Sequence, residues 1–470
     1  MTHVDLAIIG SGSGNMLPGR DLGTAGIDQV AIIEGGPVFG GTCLNVGCIP
    51  TKMFVRAADA AAEARDSARL GVDAVVERVR WADIRDRVFG RIDPFAVSGE
   101  EYRRTGKHTS LLRGHARFTA PLTLEVDLLD GGTEEVSADQ IVIATGSHPH
   151  VPEIVRASGV PFHTSDTVMR LDEFPARMMI IGGGFIAAEM AHVFGSFGAQ
   201  VSVIARSSRL LRHSDQDISA AFTAAAMEQW DVHLGCEILA LRGGTEGEEI
   251  TAVLSDGSEV SADVLLVATG RHPSSGDLGV QAAGVQCHPD GRVVVDEFGR
   301  TTAPGVWALG DVCSPLMLKH VANQQARTVA HNLAHPDDLR RFVLTAIPGA
   351  VFSHPQVAGV GLTERDARER GHDVVTHTQM YGSTAYGWAL EDTTSFCKLI
   401  GDRRSGALLG AHLLGPEAST LIQPLIQTMA LGTPLEEVAR GQYWIHPALT
   451  EVVENALLGL IDALRAPKEN

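Results

Sequence analysis

The sequence predicts an α/β protein made of two Rossmann-like dinucleotide-binding units followed by a C-terminal α+β part. Three observations carry this reading. Two short apolar strands run straight into glycine-rich turns, at residues 4–14 and 178–187. Each unit then closes on the same pattern, an apolar run ending in Ala-Thr-Gly, at 144–146 and 268–270. From about residue 344 the composition changes, and strand-like and helical segments follow without a further glycine fingerprint.

At 470 residues the chain is too long for one core, so several domains are expected. Hydrophobic residues make up 44% and charged residues 20%, the balance of an ordinary soluble globular protein. Acidic residues outnumber basic ones 57 to 38, a formal charge of −19, which argues against nucleic acid or an anionic membrane as partner. No apolar run approaches the roughly 18 residues of a membrane span. The strand pattern begins at once, leaving no room for a signal peptide. Six cysteines in so long a chain do not read as a secreted disulfide framework. A reducing compartment, the cytoplasm, is therefore expected, and no metal ligand set is assigned.

In the first unit, residues 4–10 read as a buried parallel strand entering Gly10-Ser11-Gly12-Ser13-Gly14-Asn15. Gly10, Gly12 and Gly14 would let the backbone approach a pyrophosphate at a helix N-terminus. Asn15 stands where a third glycine or alanine would pack helix on strand, and Pro18 and Gly19 disturb the helix that should follow. Residues 30–34 form a second strand ending in Glu34, near the spacing expected of an acid on ribose hydroxyls.

The next segment, residues 40–52, carries Cys43 and Cys48 among glycines. On a regular helix five residues advance about 7.5 Å, whereas a disulfide wants Cα atoms about 4.4–6.8 Å apart. The backbone between them must turn, and Gly47 permits it. A helix over 53 to about 65 would aim its N-terminus at Cys48 and favour a thiolate there. A pair that can both bridge and ionise reads as a redox device. A helical region to about residue 114, a hairpin around 122–136 and a buried strand at 140–146 complete the unit.

The second unit repeats the plan. Gly182, Gly184 and Ala187 fit G-x-G-x-x-A, with a helix expected at 188–197 and a strand at 200–205. That strand ends in Arg206 rather than an acid, with Arg209 and Arg212 close behind. Guanidinium groups there suit a 2′-phosphate, hence NADPH over NADH. The closing strand, 264–271, ends in Arg271, and a later strand ends in Gly310-Asp311, an aspartate whose ordinary role is a helix N-cap. Beyond it, strands are expected around 350–360 and 396–414, and helices at 418–431, 434–440 and 452–464.

The order of these motifs, with His446-Pro447 and Glu451 near the C-terminus, resembles the pyridine-nucleotide disulfide reductases, the glutathione reductase and dihydrolipoamide dehydrogenase family. The resemblance covers essentially the whole chain. It implies an FAD-binding domain (1–150, completed by 272–343), an NADPH-binding domain (151–271) and a dimerisation domain (344–470). It further implies a flavin between NADPH and the cysteine pair, with Cys48 the flavin-proximal thiol and Cys43 the interchange thiol that attacks a disulfide substrate. Lys52 and Glu189 match the ion pair beside the flavin, and Phe185 the aromatic lid of the nicotinamide pocket. Gly10, Gly12, Gly14, Glu34, Gly41, Thr42, Lys52, Thr145, Gly146, Arg271, Gly310 and Asp311 are the implied FAD set. Gly182, Gly184, Phe185, Ala187, Arg206 and Arg212 are the implied NADPH set.

His446 and Glu451 match an acid–base pair, which the chemistry requires because one thiol must lose a proton and another must gain one. In the family this histidine comes from the other subunit, so a homodimer is implied. The motifs Gly-Ser-Gly-Ser-Gly-Asn (10–15), Cys-Ile-Pro-Thr-Lys-Met-Phe-Val (48–55) and Leu-Lys-His-Val-Ala-Asn (318–323) most closely resemble the branch that reduces mycothione, a sugar-linked disulfide. Glutathione disulfide is the rival substrate, since Arg327, with Arg20 as a second position, falls where that enzyme contacts an anionic substrate. Arg206, Arg209 and Arg212 disfavour a dihydrolipoamide dehydrogenase. A redox-sensing flavoprotein is the alternative of another class, and the acid–base pair argues against it. Cys236, Cys287, Cys313 and Cys397 read as packed thiols.

Overall fold

The computed structural model describes residues 2–15, 23, 26–245 and 248–467; Pro18, Gly19 and Arg20 lie outside them. The first sheet grows from strand Thr2–Ile9, which pairs in parallel with Val30–Glu34 on one side and with Thr133–Ile143 on the other. These strands read as unbroken apolar runs because both faces of the sheet are covered. Leu6, Ile141 and Ile143 are fully buried, and each such side chain stabilises the fold by roughly 1.5–3 kcal/mol relative to exposure. Strand Val306–Ala308 pairs with Thr133–Ile143, so the chain returns to this sheet after visiting the second unit.

Residues before 114 depart from the expected helical region. Helix Trp81–Arg104 ends, and strand Thr109–Ala120 starts, before Gly114, which lies inside that strand. It pairs with Val30–Glu34 and, antiparallel, with Thr123–Leu128. Alternating burial along 109–120 marks a half-covered strand, a pattern that a helical reading overlooks.

The second unit holds a four-stranded parallel sheet in the order Val264–Val267, Arg177–Ile181, Gln200–Ala205, Asp231–Leu234. Its helix spans Phe185–Phe197, starting three residues earlier than expected because Gly184 is the N-cap. The two connections between the units, Ser147–Pro149 and Arg271–Pro273, pair with each other as a short antiparallel ladder.

The C-terminal part is a five-stranded antiparallel sheet ordered Pro348–Val351, Val357–Gly361, Leu408–Leu414, Phe396–Asp402, Val374–Met380. Residues 396–414 are two strands, and 418–431 are two short helices, Ala418–Leu421 and Gln423–Leu431. Strand Val374–Met380 was not anticipated. Helix Thr450–Arg465 lies over this sheet, with Leu460 and Leu464 close against Gly401.

Candidate active site

One continuous cleft of about 2600 Å³ runs from the first glycine turn, past the cysteines, to the second glycine turn and the edge of the C-terminal sheet. Of the described residues assigned to the site from sequence, all line it except Ala187, Arg209, Arg327, His446 and Glu451. Gly41 brings the two first-unit loops together. A Cβ there would lie 2.4 Å from Cα of Gly12, so the fingerprint turn and the cysteine loop touch backbone to backbone. Asn45 Nδ2 closes the cysteine loop by donating to the carbonyls of Phe39 (2.9 Å) and Gly41 (3.1 Å).

Cys43 lies in a short helix, Gly41–Asn45, and Cys48 is the first residue of helix Cys48–Asp66. That helix starts five residues earlier than expected. Pro50 sits in its first turn, where a missing N–H leaves no bond unmade. Gly47 is needed for space rather than for an unusual φ: its φ is −129°, but a Cβ would stand 2.9 Å from the Thr42 carbonyl oxygen.

Both cysteines are free thiols, and their environments push them apart. The Cys43 thiol donates a hydrogen bond to Cys48 sulfur. This holds the Cys48 thiol down at about 7 against the opposing effect of burial, with Lys52 and Lys319 adding positive charge. The same hydrogen bond, together with burial, raises Cys43 far above the ordinary thiol range. Cys48 is the thiolate of the pair.

One turn along the helix, Lys52 Nζ meets Glu189 Oε1 at 2.6 Å, across 137 residues of sequence. The same carboxylate oxygen accepts the Phe352 N–H at 3.0 Å, and Lys52 lies 4.2 Å from the centroid of the Phe352 ring. Phe352 carries no motif, and nothing in its neighbours points to this contact. Three separate parts of the chain thus meet at one ion pair.

Around the first glycine turn, Gly10 has φ 112° and no room for a Cβ, which would fall 2.4 Å from the Ala144 carbonyl oxygen. Gly14 makes the tight helix-side packing, against Leu309 and Ala144. Asn15, at the expected third small position, is buried, and among the described residues its Nδ2 has no partner. Glu34 accepts from Ser11 N at 2.9 Å and Gly36 N at 2.5 Å. Asp311 accepts from Ser147 Oγ at 2.7 Å within a 3₁₀ turn, so it is not an N-cap, and burial raises its carboxyl above the usual range. Ser147 also binds Arg271 through Oγ (2.8 Å) and its carbonyl (2.7 Å). Sequence reasoning missed Ser147, although it directly follows the first Ala-Thr-Gly. Thr145 donates to the Ser274 carbonyl at 2.7 Å.

At the second turn, Gly182 has φ 133°, and a Cβ would lie 2.2 Å from the Ala268 carbonyl oxygen. Phe185 is 48% exposed towards the cleft, whereas Ala187 is buried against the sheet. Arg206 and Arg212 line the cleft, and among the described residues neither forms an ion pair. Arg209 lies outside the cleft, its carbonyl accepting from Ser207 Oγ at 2.6 Å. Lys319 reaches Ser13 Oγ at 3.2 Å and His320 the Pro348 carbonyl at 3.0 Å. Arg327, farther along their helix, is exposed and does not line the cleft.

His446 Nδ1 and Glu451 Oε1 are 2.7 Å apart. His446 is 68% exposed, outside the cleft, amid exposed Tyr443 and Ile445. Glu451 Oε2 is buried and has no partner among the described residues. Of the other cysteines, Cys313 and Cys397 are buried and burial raises both thiols, Cys313 to about 12. Cys236 touches the cleft with its thiol bonded to the Leu234 carbonyl. Among the described residues no helix is long and apolar enough to cross a membrane, and no group of His, Cys, Asp or Glu is arranged for a metal ion.

The pyridine nucleotide-disulphide oxidoreductase family matches residues 4–326, and its dimerisation domain matches residues 347–457. Mycothione reductase of Mycobacterium tuberculosis (strain ATCC 25618 / H37Rv) is 51% identical over 98% of this chain and 100% of its own length. Mercuric reductase of Streptomyces lividans is 35% identical over 96% of this chain and 94% of its own. Among solved structures, the HOCl-induced flavoprotein disulfide reductase RclA of Escherichia coli aligns with a TM-score of 0.82 at 26% identity, covering 97% of this chain and 99% of that one. With matched regions spanning both glycine turns, the cysteine pair and the C-terminal sheet, this chain belongs to the pyridine nucleotide-disulphide oxidoreductases.

Proposed function

We propose that this protein is an FAD-dependent homodimeric enzyme that reduces mycothione to mycothiol with NADPH in the cytoplasm. The observation that carries the reading is the cysteine pair, Cys43 in the short helix Gly41–Asn45 and Cys48 at the start of helix Cys48–Asp66, opening on the cleft that also holds Arg206 and Arg212. The 51% identity to a mycothione reductase supports the substrate, and the dimerisation-domain match supports the homodimer. The chain's charge of −19 speaks against nucleic acid or an anionic membrane as partner.

The first-unit residues fit FAD. Gly41 against Gly12 leaves a backbone cradle that any Cβ would fill, and Asn323 Oδ1 is buried on the cleft wall without a partner. Gly10, Gly12, Gly14, Glu34, Gly41, Thr42, Thr145, Gly146, Arg271, Gly310 and Asp311 would hold it, and Lys52 with Glu189 would set the charge beside it. When bound, FAD supplies two-electron transfer between NADPH and the cysteine pair. Gly182 and Gly184 would bring the backbone close to the NADPH pyrophosphate, with Ala187 packing the helix behind them; Arg206 and Arg212 would bind its 2′-phosphate, and Phe185 would cover the nicotinamide pocket.

The chain's own chemistry is thiol exchange. Cys43, once deprotonated, attacks one sulfur of the substrate disulfide, and a mixed disulfide forms as the first thiol leaves. Cys48 thiolate then attacks Cys43 sulfur, releasing the second thiol and closing the Cys43–Cys48 disulfide. His446, oriented through Nδ1 by Glu451, moves the proton at Nε2 for the partner protomer's cysteine pair. Two electrons from NADPH reopen the disulfide, so one NADPH and one proton yield two thiols.

The test is kcat/KM for mycothione, glutathione disulfide and lipoamide with each nicotinamide. Mycothione with NADPH should lead by at least tenfold. A lead by another disulfide rejects the substrate, and no turnover of any of them favours a redox sensor.

A further inference from the structure

Lys398 lies in strand Phe396–Asp402, every residue of which is buried, and its side chain is 3% exposed. Its Nζ meets Asp215 Oδ1 at 2.9 Å, Asp217 Oδ2 at 2.6 Å and Glu364 Oε2 at 2.8 Å. Asp215 is itself fully buried. Its Oδ1 also accepts from Asp217 N at 3.1 Å, capping helix Gln216–Gln229, and its Oδ2 accepts from Glu364 N at 3.0 Å. Glu364 opens helix Glu364–Glu369 of the C-terminal part. One ammonium and one carboxylate therefore tie the second unit to the C-terminal sheet. Burial alone would lower the Lys398 pKa, but its three carboxylate partners outweigh it and raise the group above the ordinary lysine range. Both Lys398 and Asp215 are charged at neutral pH.

The cluster sits at the end of the arginine segment. Asp215 directly follows residues 206–214. Leu211 N in that segment donates to the Gly183 carbonyl at 2.7 Å. Leu210 N donates to Thr223 Oγ1 at 3.0 Å, and the Leu210 carbonyl accepts from Ser219 Oγ at 2.7 Å. The segment thus hangs between the second glycine turn and helix Gln216–Gln229, whose capped end is the end that Lys398 grips. Arg212, His213 and Ser214 share the cleft wall with Thr363, Asp366 and His412 of the C-terminal part.

We propose that Lys398 is a positioning residue for nucleotide selection: through Asp215, Asp217 and Glu364 it holds segment 206–214 so that Arg206 and Arg212 face the 2′-phosphate of NADPH. This rests on the NADPH reading above. Removing the ammonium strips the fully buried Asp215 carboxylate of its cation, while Glu364 keeps Arg368 at 2.6 Å and Asp217 is 59% exposed; the uncompensated Asp215 then releases its hold on the capped helix end and the segment joined to it. NADH, which lacks the 2′-phosphate, gains little from the arginines and loses little when they move.

The experiment compares holoenzyme variants Lys398→Met, Lys398→Arg and Arg206→Glu, measuring kcat and KM for NADPH and NADH at saturating disulfide. Lys398→Met should raise the NADPH KM about tenfold, with kcat and the NADH KM changed less than about twofold, and Lys398→Arg should recover most of the loss. Glu364→Gln, which keeps the ammonium, should shift the ratio in the same direction by about threefold, and it replaces Lys398→Met if that variant does not fold. A purely structural role would lower Tm and leave the NADPH/NADH ratio unchanged, overturning the inference. If Arg206→Glu changes the ratio and Lys398→Met does not, the inference falls and the NADPH reading stands. If neither changes it, both fall. If only Lys398→Met changes it, the effect does not pass through the arginines, and the inference is again overturned.

Discussion

Lys52 Nζ and Glu189 Oε1 stand 2.6 Å apart, one on the cysteine helix and the other on the helix of the second glycine turn. The Phe352 N–H, 3.0 Å from the same oxygen, fixes the carboxylate from a third direction. The Glu189 side chain is 8% exposed, so it cannot be stripped of its charge partner cheaply. The pair sets two opposite charges at a defined place where both units meet.

Replacing one member tests its role. Glu189→Gln keeps the shape and the Phe352 contact but leaves the lysine uncompensated. Flavin reduction by NADPH, followed by stopped-flow absorbance, should slow by about tenfold or more while NADPH affinity changes little. An unchanged reduction rate would remove the pair from electron transfer.

Cys43→Ser separates the two thiols. Cys48, the Lys52–Glu189 pair and both glycine turns stay in place, so NADPH should still reduce the flavin at close to the native rate. Disulfide turnover should fall by at least about a thousandfold, because the group that attacks the substrate is gone. Retained turnover would mean that Cys48 is the attacking thiol.

The sign of the pH response follows from Cys48. Its folded pKa, about 7, lies below the ordinary thiol value of 9.0, first because Cys43 donates a hydrogen bond to it and then because Lys52 adds positive charge. The thiolate is therefore populated above about pH 7 and lost as pH falls through that value. Turnover should decline on the acid side with a midpoint near 7, and Lys52→Met should move that midpoint to higher pH. A flat profile from about pH 5.5 to 8 would contradict the assignment of Cys48 as the working thiolate.

Much of this site is legible in the sequence because it is written in local motifs. Glycines at 10, 41 and 182 mark places where two backbones meet, and no other residue fits, so their spacing carries the geometry directly. Contacts made across the fold leave no such trace. Ser147 between Arg271 and Asp311, Phe352 on Glu189 and the three acids around Lys398 come from segments up to 183 residues apart. The strand at 109–120 was hidden for a related reason. It is half exposed, and its alternation gains meaning only once Val30–Glu34 lies beside it.

The position of His446 gives the strongest test of assembly. Within one chain its ring is exposed and outside the cleft, yet Glu451 already holds it at 2.7 Å through Nδ1. His446 thus stands apart from the cleft on which this chain's own cysteines open. If each cysteine pair is served by the partner's histidine, Cys43→Ser and His446→Ala homodimers should both be nearly inactive. A heterodimer of the two, made by co-expression and purified with two different tags, has one site with both defects and one with neither. It should show about half the native turnover per dimer. Activity no greater than that of the two parent homodimers would mean that the histidine serves its own chain, and the shared site would be rejected.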